Sequence, residues 1–148
     1  ALDVTIQAQV LELMNKLKEE YQTSLIMITH DLGIVAEVCD EVAVMYAGRI
    51  IEQGTLRDVF NKTKHPYTEG LFNSLPNVNN RKAKLQPIPG LMPDPTDLPV
   101  GCSFSPRCPY ANDNCRENKP IPRWISDTHM VECSAYDDPT FHIARGEK

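Results

Sequence analysis

Proline is spread so unevenly along this chain that its two ends cannot fold by the same rules. Eleven of the twelve prolines stand at Pro76 or beyond. Each one fixes φ and removes a backbone donor, so a segment this rich in them supports loops and short turns rather than long regular elements. The same stretch holds the only tryptophan, Trp124, and four of the five cysteines. Composition therefore predicts a boundary near residue 75, with an ordinary α/β sequence over 1–75 and a Pro- and Cys-rich extension over 76–148. Residue 1 is Ala rather than Met and the chain opens directly on a helical pattern, which reads as a fragment or a processed chain.

Charge narrows the partners. Fifteen basic against twenty acidic side chains give a net charge of −5, which is the wrong sign for a phosphate footprint and argues against nucleic acid. No apolar run approaches the ~20 residues that span a bilayer, and no charged-then-apolar leader opens the chain.

In the first half, Asp3 is placed to cap a helix over 4–21, whose Val10, Leu13, Met14, Leu17 and Tyr21 share one face. "SLIMIT", residues 24–29, has no period-2 alternation and reads as a strand of a parallel sheet buried on both faces. Such a strand needs neighbours, so the chain is expected to self-associate or to be a remnant of a longer one. His30 then stands at the strand's carboxyl end, where open α/β sheets bind ligands, and Asp31 caps a helix through Val38. "EVAVMYAGRIIEQG", 41–54, reads as a hairpin turning at Ala47–Gly48, with Gly48 supplying a positive φ. Thr55 caps a short helix with Asp58 in the reciprocal position, and Pro66 opens another that ends by Pro76.

The extension contains Cys102, Cys108, Cys115 and Cys133, spaced C-x5-C-x6-C-x17-C. Spacing alone leaves a disulfide framework, a metal site and chance all open, because the first needs an oxidising compartment and the second does not. His129, four residues before Cys133, reads as a solvated loop histidine, or else as a ligand or a partner of a sulfur. Cys39 reads as a small buried hydrophobe. Arg107 and Arg116 stand beside cysteines and would offset thiolate charge, or are simply surface arginines. His65, in "KHPY", reads as structural.

Three stretches in order carry a family resemblance. "ALDVTIQAQVLELM" resembles the D-loop segment that follows the Walker B strand in ATP-binding subunits of ABC transporters. "LIMITHDLGIVAEVCDEVAVMYAGRIIEQGT" resembles the following strand, switch-histidine loop and hairpin. "KHPYTEGLFNSLP", "IPGLMPDP" and "GCSFSPRCPYANDNC" resemble the C-terminal extension of dipeptide and oligopeptide permease ATPases, the "D"-type subunit in particular. The resemblance implies an α/β fold: the second half of an ABC-type nucleotide-binding domain, with a parallel strand, helices and a β-hairpin, followed by a small irregular metal-stapled extension. The Walker A loop, the signature motif and the Walker B strand with its carboxylate have no counterpart in these 148 residues.

By the same resemblance His30 is the switch histidine that contacts the γ-phosphate of ATP held with Mg, and Asp3 is the D-loop aspartate at the interface of two ATPase subunits. The implied function is coupling of ATP hydrolysis to uptake of dipeptides or oligopeptides, with this chain alone inactive. The implied partners are transmembrane permease subunits, a second homologous ATPase and, indirectly, a peptide-binding protein. The implied place is the cytoplasmic face of the plasma membrane, as a peripheral protein. Nickel importers share the architecture, and a stand-alone metal-binding, redox or docking module is the alternative reading. A reducing compartment disfavours disulfides. A Pro-rich tail of roughly 70 residues builds little core, and a tetrathiolate site contributes on the order of 10 kcal/mol against about 2–4 for one disulfide. Cys102, Cys108, Cys115 and Cys133 are thus expected to hold a [4Fe-4S] cluster, as in some members of the resembled group, with zinc as the alternative.

Overall fold

A computed structural model describes residues 4–76 and 86–143. Asp3 lies outside the described residues. The chain divides into two units, Ala1–Asp40 and Glu41–Lys148, so the compositional break near residue 75 falls inside the second of them.

The first unit holds α1 (Val4–Tyr21) and α2 (Leu32–Val38). Both follow from the sequence: α1 has the expected bounds, and α2 begins where the Asp31 carboxylate accepts the Gly33 and Ile34 N–H groups at 2.8 and 3.3 Å. Of the described residues in this unit only Leu11 is buried. Residues 24–29 depart from expectation. They form no strand, and Ile26 and Ile28 are 91% and 98% exposed. A strand buried on both faces needs a hydrogen-bonded neighbour to satisfy its backbone, and the sheet among the described residues is antiparallel and built from residues of the second unit.

That sheet has four strands in the order β1-β2-β4-β3: β1 (Glu41–Tyr46), β2 (Arg49–Thr55), β3 (Pro122–Ser126) and β4 (His129–Glu132). The β1–β2 hairpin closes on Ala47 and Gly48, both with positive φ (47° and 78°), the pair of left-handed residues that matches the twist of a two-residue hairpin. α3 (Leu56–Asn61) starts at Thr55, whose hydroxyl accepts the Asp58 N–H at 3.1 Å and donates to the Asp58 carboxylate at 2.7 Å. α4 (Pro66–Asn73) and α5 (Asp113–Glu117) follow, with single 3₁₀ turns at Ser105–Arg107 and Ser134–Asp137.

The extension was expected to be irregular, yet it supplies β3 and β4. β4 pairs directly with β2, Glu52 opposite Val131 and Gly54 opposite His129. Hairpin and extension are therefore one folded body. One apolar cluster joins Tyr46 and Ile51 of the hairpin to Phe104 of the extension, with the Tyr46 and Phe104 rings edge to face at 5.2 Å. A second groups Val131, Cys133 and Ala135. Arg107 bonds the Pro89 and Ile88 carbonyls and the Tyr46 hydroxyl, tying residues 88–89 to the hairpin.

No three His, Cys, Asp or Glu side chains among the described residues are placed to hold a metal ion, and all five cysteines are free thiols. The expected metal staple is not shown among the described residues; there, strand pairing and a network of polar contacts join the extension to the rest of its unit.

Candidate functional site

The network centres on Glu52, which is fully buried on β2. A carboxylate in that position is tolerable only if its lone pairs are met. Oε1 accepts the Lys64 N–H at 2.6 Å and the His129 Nε2–H at 2.8 Å, and Oε2 accepts the His65 N–H at 2.9 Å. One side chain thereby joins β2, the "KHPY" turn and β4. His129 is neither a loop histidine nor a partner of sulfur. It is buried on β4, and its ring is taken up by Glu52. Nothing local announces this contact, which spans 77 residues. The usable sign was an acidic residue inside the otherwise β-prone run "RIIEQGT".

A second buried carboxylate, Glu132, receives Arg49 through Nε at 2.6 Å and Nη2 at 2.9 Å. The fork geometry makes this the strong form of an ion pair and holds the Arg49 guanidinium above its usual pKa.

His65 lies between these carboxylates. Its ring Nδ1 caps α4 by accepting the Tyr67 N–H at 3.0 Å. With Nδ1 committed as acceptor, the proton resides on Nε2. Burial pushes its pKa down to about 3, opposed by a hydrogen bond to the Glu132 backbone. The imidazole is neutral at physiological pH.

The same ring lines a pocket shared by Cys102, Cys108, Cys115 and Cys133, with Phe104 and Tyr110 also in its wall. The structure therefore brings together the four cysteines that the sequence singled out. Burial pushes the Cys108 thiol up to about 11 and the Cys133 thiol up to about 12, and raises Cys102 as well. Each of these three sulfurs also feels a backbone hydrogen bond from the residue two positions on: Phe104 for Cys102, Tyr110 for Cys108 and Ala135 for Cys133. These bonds favour thiolate, and the crowding of the sulfurs opposes it. A cation in their midst would reverse the second effect and keep the first.

Other candidates are dispersed. His30 is exposed at the bend before α2, in the other unit. Arg116 is exposed and pairs with Asp113 at 3.1 Å. Cys39 is half-buried at the end of α2.

The chain is similar to known transport proteins over most of its length. The chain is 49% identical to the oligopeptide transport ATP-binding protein AppD of Bacillus subtilis (strain 168) over 138 residues, 93% of this chain and 42% of that protein. It is 52% identical to OppD of Salmonella typhimurium, also an oligopeptide transport ATP-binding protein, over 121 residues, 82% of this chain and 36% of that protein. The dipeptide transport ATP-binding protein DppD of Haemophilus influenzae is 50% identical over 133 residues, 90% of this chain and 40% of its own length. The family model of the oligopeptide/dipeptide transporter C-terminal region matches residues 51–115. Residues 51–115 belong to this transporter C-terminal family.

It spans between 36% and 42% of the length of these relatives. The transporter C-terminal match takes in Glu52, the "KHPY" turn and the first three cysteines, Cys102 to Cys115. Cys133 and His129 complete the site from beyond it.

Proposed function

We propose that this chain is part of the ATP-binding subunit of an ABC importer, coupling ATP hydrolysis to uptake of dipeptides or oligopeptides. What carries the reading is identity near one half over most of the chain to three transport ATP-binding proteins. Residues 24–29 take their place as a strand when a longer chain supplies parallel neighbours. His30 then stands at the strand end and donates to the γ-phosphate of Mg-bound ATP, stabilising charge in a transfer that needs positioning more than covalent chemistry. Asp3 faces a second ATPase subunit. Transmembrane permease subunits are the membrane partners, on the cytoplasmic face, and a peptide-binding protein delivers cargo without touching this subunit. Among the described residues no helix is long and apolar enough to cross a membrane.

In the same reading Cys102, Cys108, Cys115 and Cys133 hold a structural [4Fe-4S] cluster, or zinc. Support comes from four thiols on one pocket, three of them already served by backbone N–H groups. Such a group would supply the positive charge that turns buried thiols into thiolates, and closure of the ligands would accompany its binding. The cysteine pocket lies wholly within residues 41–148, which also suits a separable metal-binding module.

The test has two arms. His30→Ala in the full-length subunit, assembled with its permease, should lower the ATP turnover rate by about a hundredfold or more. The 148-residue chain alone should show no micromolar ATP binding by calorimetry. Turnover that survives His30→Ala, or tight ATP binding by this chain, would falsify the assignment.

A further inference from the structure

Among the residues that wall the four-thiol pocket, His65 contributes a buried ring that touches the surroundings of two of the cysteines. We propose that His65 is the positioning residue of this pocket, orienting Cys133 through Glu132 and Cys102 through Phe104. The proposal rests on the four-thiolate reading above and adds a role for the histidine of "KHPY".

Three observations meet at the ring. His65 is 1% exposed and lines the cysteine pocket. Its two nitrogens have separate duties: Nδ1 accepts the Tyr67 N–H, which starts α4, while Nε2–H faces the backbone of Glu132, the residue immediately before Cys133. The ring also packs against Phe104, centroids 5.9 Å apart, and the Phe104 backbone, together with that of Ser105, bonds to the Cys102 sulfur. Glu132 cannot drift independently, because Arg49 grips its carboxylate from β2 and its own strand is paired to β2. His65 is anchored from the other side by its N–H on Glu52. The imidazole is thus a rigid spacer between a fixed carbonyl and a fixed helix start, and two sulfurs take their direction from what it holds.

A helix cap alone would be met equally well by Asn or Asp. Burying an imidazole there is costly, since a neutral ring with both nitrogens satisfied must be built into the core. The second nitrogen gives that choice a reason.

The two duties separate by substitution. Asn places an acceptor near the Nδ1 position, so His65→Asn keeps the cap and loses the reach to Glu132. Gln extends a donor toward the Nε2 position, so His65→Gln keeps that reach and weakens the cap. In metal-free, reduced 148-residue chain, iodoacetamide labelling is followed cysteine by cysteine through peptide mass mapping. Cys133 and Cys102 should label several-fold faster in His65→Asn than in wild type, while His65→Gln stays near wild type despite a lower melting temperature. After anaerobic reconstitution with iron and sulfide, or with zinc, His65→Asn should lose the metal to a chelator about ten- to a hundredfold faster than His65→Gln. Labelling that follows melting temperature in both variants, or that rises equally at all four cysteines, overturns the proposal. Should wild type take up neither iron nor zinc, the metal reading fails by itself, and the labelling pattern still decides the role of His65.

Discussion

Glu52 joins three segments of the second unit through one buried side chain. Its three hydrogen bonds come from two backbone N–H groups and one imidazole on different segments, and no apolar residue could satisfy those donors. In Glu52→Gln the amide turns a donor toward at least one N–H group, leaving it buried and unmet, at a cost of about 1–3 kcal/mol. Glu52→Ala strands all three and should cost about 3–5 kcal/mol. Urea unfolding of the 148-residue chain measures both, and equal stability of Gln and wild type would show that the carboxylate is not the organiser. His65 gives the pH dependence. Its folded pKa of about 3 lies below the ordinary 6.5, so between these values the unfolded chain binds the extra proton. The stability it contributes is complete above pH 6.5 and is lost as pH falls toward 3, by up to about 1.4 kcal/mol per pH unit. His65→Asn should flatten that slope, and an unchanged acid limb would assign it to other groups. Neither residue's partner was legible beforehand. The cap at His65 follows from the proline beside it, but the Glu52–His129 contact depends on a strand pairing that no local spacing encodes.

At the scale of elements, what the sequence specifies locally appears where expected. The hairpin needs two left-handed residues and has Ala47 and Gly48; α2 and α3 begin at side chains able to take the first free N–H groups, Asp31 and Thr55. These are signals whose donor and acceptor lie within a few residues of each other. The run at 24–29 is different in kind, because a parallel strand is defined by neighbours, and its composition says only that it suits burial. β3 and β4 were missed for a related reason: Pro120 and Pro122 argue against a central strand, and β3 is an edge strand, where proline is permitted. Gly101 shows how closely the extension's elements approach. The residue that follows it is bonded to α5, the Cys102 N–H donating to the Cys115 carbonyl at 2.8 Å. A Cβ on Gly101 would stand 2.4 Å from that carbonyl oxygen and 2.6 Å from Arg116 backbone atoms. Backbone cannot step aside as a flexible side chain does, so Gly101→Ala should cost about 1–3 kcal/mol and separate Cys102 from Cys115. Thermal unfolding gives the first, and the labelling rates of the two thiols give the second; a variant as stable and as protected as wild type would mean that the approach is loose.

The two units differ in what their apolar residues build, the first leaving most of its large apolar side chains exposed around one buried residue among those described, Leu11. Every strand of the sheet and both apolar clusters fall within residues 41–148. The first unit leaves Ile6, Val10, Leu13 and Leu17 exposed on α1, and Ile26 and Ile28 exposed after it. Apolar exposure on that scale marks a surface that belongs against something, and in the relatives the chain corresponds to less than half of a longer protein. With no such cover, the exposed faces have only each other. The 148-residue chain should therefore associate in a concentration-dependent way, whereas a chain beginning at Glu41 should associate more weakly and still unfold cooperatively. Replacing Leu13 and Leu17 together by Lys should reduce association without lowering the melting temperature of the second unit, since neither residue contributes to its sheet or clusters. Sedimentation velocity over a range of concentrations distinguishes the three chains. If the full 148-residue chain sediments as a monomer throughout, or if the chain from Glu41 associates as strongly as the full one, the exposed faces of the first unit are not the cause.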